Sequence, residues 1–177
     1  ARERLLPFSV YTHPNYRINW HHRLIAKNLE AFGQGKIKRL IVTCPPRMGK
    51  SELVSRRLPS FIFGKNPNAK IIATSYTADL ATAMSRDIQR IMVSEEYRDL
   101  FKGSSLNSKN VGASSENWKR TADEFEIVNH QGYYKCAGVG GSITGRGADY
   151  LLVDDPVKGR EEADSPVKRE RLWEWFH

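Results

Sequence analysis

Cysteine, acidic charge and long apolar runs are all scarce in this chain of 177 residues. The two cysteines, Cys44 and Cys136, offer no disulfide framework and no metal-ligand spacing, and imply a reducing, intracellular setting. The longest apolar runs are far too short to span a bilayer, and no secretory signal pattern is present. No stretch repeats another. With 40% hydrophobic and 10% aromatic residues the composition is that of a folded chain, not a disordered one.

Charge is abundant but one-sided, 28 Lys and Arg against 20 Asp and Glu, for a net +8. Residues 1–60 hold 12 of the basic residues and 3 of the acidic ones, whereas residues 61–177 hold 16 and 17. A basic front half suits a partner made of phosphates, nucleotide or nucleic acid, although a merely solvated surface would look the same.

Spacing predicts an α/β fold with a largely parallel sheet. Residues 1–18 read as an irregular arm. Trp20 to Phe32 has helical apolar spacing, Lys38 to Thr43 reads as a first strand, and a helix follows from Glu52 to Phe63. Lys70 to Ser75 is a second strand, and Thr77 opens a long helix to Val93 that Glu95 to Phe101 continues. Residues 103–117 form a loop. Strand-like runs follow at Trp118 to Thr121, Phe125 to Asn129 and Gly132 to Ala137, the last two joined as an antiparallel hairpin through Asn129-His130-Gln131-Gly132. After the glycine-rich loop from Gly138 to Gly147, Asp149 to Val153 is a buried strand, and Ser165-Pro166 caps a final helix. This sheet is a strand short, so the chain reads as a fragment of something longer.

Three motifs carry chemistry. Cys44-Pro45-Pro46-Arg47-Met48-Gly49-Lys50-Ser51-Glu52 lies between a strand and a helix, the setting of a phosphate-binding loop, although Cys44 stands where the usual pattern has glycine. There Lys50 would reach the β- and γ-phosphates of a polyphosphate and Ser51 would ligate Mg²⁺. Tyr150 to Asp155 places Asp154 at the end of a buried strand, where open α/β sheets form their ligand crevice, to complete the magnesium shell. Asp155 would orient the attacking water; alternatively both acids cap the turn before Pro156. Arg146, between glycines, suits neutralising the transferring phosphoryl group, as does Arg47, with an ordinary surface arginine the alternative at 146.

These motifs, with Ala73-Thr-Ser-Tyr-Thr-Ala-Asp-Leu-Ala81 between them, resemble the ATPase domain of the large terminase subunit of tailed bacteriophages and prophages. The similarity runs from about Trp20 onward. It implies a P-loop NTPase fold of the RecA/ASCE type and an Mg²⁺-dependent ATPase that drives double-stranded DNA into a procapsid in the host cytoplasm. It further implies a homo-oligomeric ring, commonly of five subunits, on a portal, with a small terminase subunit as partner and no membrane. By position, Arg47, Lys50 and Ser51 fall in the family's deviant Walker A loop and Asp154 on its Walker B carboxylate. Asp155 takes the place of the usual catalytic glutamate, and Arg146 that of an arginine acting on the neighbouring subunit's ATP. Trp20 and His22 lie where relatives contact adenine. The resemblance also implies that residues 1–177 are the N-terminal part of a longer protein, with the nuclease domain absent and DNA cleavage not expected here. A helicase or translocase ATPase of another family, or a non-catalytic phosphate- or DNA-binding module, remain as alternatives.

Overall fold

A computed structural model describes residues 1–109, 117–143, 145 and 147–176. In chain order the elements are α1 (Leu5–Tyr11), α2 (Trp20–Gly33) and a π-helical stretch (Glu52–Arg57) running into α3 (Leu58–Lys65). Next come β1 (Lys70–Ser75), α4 (Ala78–Val93), α5 (Glu95–Leu100), β2 (Glu124–Glu126) and β3 (Tyr133–Gly138). The chain continues through β4 (Tyr150–Asp154), α6 (Arg160–Asp164) and α7 (Pro166–Phe176). The four strands make one sheet in the order β2-β3-β1-β4. β1 is parallel to both β3 and β4, while β2 pairs antiparallel with β3. The expected α/β architecture, mainly parallel with an antiparallel hairpin, is therefore present.

Local chemistry explains most boundaries. The Thr77 hydroxyl accepts from the Leu80 N–H at 3.3 Å and starts α4, and Ser94 does the same for Tyr97, separating α5 from α4. Asn129 takes the left-handed backbone (φ 63) that the β2–β3 turn requires, a conformation asparagine tolerates well. β1 is central and buried from Ile71 to Ser75. β4, at the edge, alternates: Leu152 and Asp154 are buried, Leu151 and Val153 exposed.

The core lies between the sheet and the helices. Phe8, Phe61, Tyr97 and Phe101 form one aromatic cluster, with Phe8–Phe61 centroids 5.4 Å apart. Phe125 stacks on Tyr134 at 5.1 Å. The Tyr97 hydroxyl is satisfied by the Ser60 carbonyl and the Ser104 hydroxyl, both at 3.1 Å. Both cysteines are free, and burial beside Asp123 pushes the Cys136 thiol up to about 12. Among the described residues no helix is long and apolar enough to cross a membrane.

Three expectations need correcting, and one element is an addition. The arm at 1–18 contains α1, whose Leu5 and Phe8 are fully buried; Pro7 falls in its first turn, where no N–H is needed. Residues 38–43 are not a strand. Ile41 is 89% exposed, and no ladder joins this run to the β4 edge among the described residues. Its β-branched side chains favour a strand, but pairing is what stabilises one, and Pro45 and Pro46 directly after it have no N–H to donate. Trp118 to Thr121 contributes one bridge, Arg120 to Phe125, because β2 is only 3 residues long. α6 was not expected.

Candidate functional site

The loop from Pro45 to Gly49 turns directly into a helix beginning at Lys50. Arg47 (φ 61) and Gly49 (φ 79) both have left-handed backbone. That conformation costs a non-glycine residue roughly 1–3 kcal/mol and tends to persist where the surroundings enforce it. A Cβ on Gly49 would sit 2.7 Å from His22 Nε2, so glycine is required on both steric counts. Pro45, Pro46, Arg47 and Met48 are exposed on the outer side of the turn.

Two imidazoles hold the loop from below. His21 Nε2 and His22 Nε2 lie 3.2 and 3.1 Å from the Met48 carbonyl oxygen. His22 Nδ1 accepts the Asn19 N–H at 2.9 Å, completing the cap of α2. With Nδ1 accepting, neutral His22 carries its proton on Nε2 and donates it to Met48. Burial and the neighbouring His21 lower the pKa of His22, against the opposing pull of the Met48 carbonyl. Trp20 is exposed at 72%, its ring edge-on to His21. In this structure His22 supports the loop's backbone, while Trp20 projects into solvent.

Across the loop stand the two acids that end β4. Lys50 Nζ donates to Asp155 Oδ1 at 2.5 Å and lies 3.3 Å from Asp154 Oδ1. Burial alone would lower the Lys50 pKa, but its bonds to Asp155 and Asp154 outweigh that and raise it. The acids differ sharply: the Asp154 side chain is 7% exposed, that of Asp155 67%. Asp155 has φ 45, a left-handed turn that swings it off the strand toward the lysine. An ammonium group at a helix start, paired among the described residues with Asp154 and Asp155, is suited to binding phosphate.

The helix after the loop holds the residues that motif reading missed. The hydroxyl bonded to Asp154 is that of Ser55, at 2.8 Å to Oδ2 and buried. Ser51 makes no capping bond, and among the described residues none to Asp154. Glu52 turns away from the loop and accepts from Arg57 Nε at 2.7 Å. Arg57, 6% exposed, also donates to Thr12 Oγ1 at 2.7 Å, tying the helix to the end of α1. The sequence around Ser55 and Arg57 is a helix rich in apolar residues, which marks neither of them as buried. Arg146 lies outside the described residues. The structure therefore gathers Lys50, Asp154 and Asp155 at the mouth of the Arg47–Gly49 turn, and leaves Trp20 and Glu52 directed elsewhere.

No curated protein and no solved structure matches the chain. A family model does, over residues 41–174: terminase large subunit, T4likevirus-type, N-terminal.

Proposed function

Because the chain belongs to the family of T4-like terminase large-subunit N-terminal domains, we propose that it is the ATP-hydrolysing motor of a viral DNA-packaging terminase, with a P-loop NTPase fold. The observation that carries this reading is the position of Lys50, between the Asp154 and Asp155 carboxylates at the start of a helix entered through a left-handed turn.

The donor set suits Mg²⁺ and a triphosphate. Among the described residues no three His, Cys, Asp or Glu side chains cluster, so a divalent ion here would complete its shell with phosphate oxygens and water, as Mg²⁺ habitually does. Asp154 Oδ1 and the Ser51 hydroxyl would hold it, and when bound it supplies charge neutralisation on the transferring phosphoryl group. The N–H groups of residues 47–51 would cradle the phosphates. Lys50 would exchange its carboxylate partners for the β- and γ-phosphate oxygens, and that exchange frees Asp155, the exposed acid, to orient and deprotonate the attacking water. Arg47, an exposed residue of the loop, would approach the γ-phosphate. Arg146 would act on a neighbouring subunit's ATP. The motor so assembled is a ring of about five subunits on a portal in the host cytoplasm, translocating double-stranded DNA with a small terminase subunit as partner.

The test is Mg²⁺-dependent ATP turnover as a function of protein concentration. An arginine acting between subunits predicts activity rising faster than linearly. Lys50→Ala should lower turnover by about 10²–10³-fold or more while leaving the domain folded by circular dichroism. Full turnover in that variant, or none in the wild-type protein at any concentration, would refute the motor reading.

A further inference from the structure

Four buried serines lie within helices of the described residues, and they do not behave alike; Ser85 accepts from Gln89 Nε2, one turn further on, at 3.5 Å. Ser9 donates to the Leu5 carbonyl at 2.8 Å and Ser60 to the Arg56 carbonyl at 2.9 Å. Both satisfy themselves on the preceding helical turn, the usual behaviour of a mid-helix hydroxyl. Ser55 instead donates 2.8 Å across the interior to Asp154 Oδ2, a residue 99 positions away. Ser55 is 4% exposed and Asp154 6%.

The backbone is wound in a way that permits this. Residues 52–57 form a π-helix, in which residues five apart align, and Glu52 and Arg57 are joined in that register at 2.7 Å. π-Helical turns inside α-helices are rare and recur at functional sites. Arg57 is anchored in turn on Thr12. The winding is thus braced at both its ends, with Ser55 between them on the sheet side.

The consequence falls on Asp154. A carboxylate turns easily about its terminal torsion, whose wells are broad. With Oδ2 taken by Ser55, only Oδ1 faces Lys50. We infer that Ser55 is a positioning residue that commits Asp154 to a single-oxygen approach to the bound divalent cation. This rests on the functional reading above and adds to it a residue that no motif marks. Ser75 provides an internal contrast. It stands beside Asp154 in the parallel register, and its buried hydroxyl has no partner among the described residues.

The experiment measures Mn²⁺ affinity of the whole chain saturated with ADP, by electron paramagnetic resonance of the free ion, together with ADP affinity in excess chelator. In Ser55→Ala, Mn²⁺ affinity should fall about 10–100-fold while metal-free ADP affinity stays within about twofold. Ser55→Thr, which keeps the hydroxyl, should restore it, and Ser75→Ala should leave it unchanged. If Ser55→Ala does not fold, Ser55→Cys, of nearly the same size, should show the same loss of Mn²⁺ affinity. Unchanged Mn²⁺ affinity in Ser55→Ala, an equal fall in metal-free ADP affinity, or an equal effect of Ser75→Ala would overturn the inference and leave the motor reading intact. A wild-type protein that binds neither ADP nor Mn²⁺ overturns both.

Discussion

The two faces of β4 are built to different rules. On one, Leu152 and Asp154 are buried among the residues of the helical layer. On the other, Leu151 and Val153 are 40% and 41% exposed. The strand's twofold alternation therefore decides more than packing. It drives Asp154 into a fixed environment bounded by Ser55 and Lys50. Immediately afterwards the left-handed turn at Asp155 delivers the next acid into the open. One carboxylate is buried against Ser55, while its neighbour is exposed and held by Lys50.

The contrast between the faces can be broken by experiment. The largest effect belongs to the closed side. Phe8→Ala removes a fully buried ring from the aromatic cluster and should cost about 3–5 kcal/mol in urea unfolding, with much of the helical layer loosened. If that variant unfolds like the wild type, the closed face is not the stabilising one.

A smaller effect is expected at the imidazole support of the loop. The folded-state pKa of His22 lies below its ordinary value of 6.5, so the unfolded chain takes up the proton more readily. The contribution of neutral His22 is complete above that ordinary value and is lost as pH falls below it toward the folded pKa. Protonating Nδ1 also breaks the cap on the Asn19 N–H. Melting followed as pH falls from about 7.5 to about 5.5 should lose about 0.5–2 kcal/mol, the usual worth of a helix cap. His22→Gln should flatten that part of the slope. The smallest effect belongs to the open side, where Leu151→Ser should change stability by no more than about 0.5 kcal/mol. A loss comparable to that of Phe8→Ala would show the two faces to be alike.

How much of this was legible beforehand follows from where each signal resides. α2 was readable from its apolar spacing, and α4 and the β2–β3 hairpin because their cap and turn residues act locally: Thr77 and Asn129 do in the structure what their chemistry dictates. The acids at 154 and 155 were readable from their place at the end of an apolar run. Residues 38–43 misled because strand propensity describes a side chain and not its partner. α1 was hidden by Pro7, which breaks helices everywhere except near their start. Ser55 and Arg57 were beyond reach for a different reason. A serine and an arginine inside a helical pattern look like surface residues, and their importance depends on a winding that no local preference announces.

That winding has one more consequence. A π turn stores an additional residue relative to an α turn, so the stretch from 52 to 57 works as slack between two fixed ends, the left-handed loop before it and the apolar anchor of α3 after it. Replacing side chains there leaves the length intact. Deleting a single residue would not: the coil could close into ordinary α pitch with its flanks nearly in register, but the five-residue alignment that joins Glu52 to Arg57 and leaves Ser55 facing Asp154 would be lost. The spare residue of this coil is thus what keeps a hydroxyl of the helix in reach of the edge strand's last carboxylate.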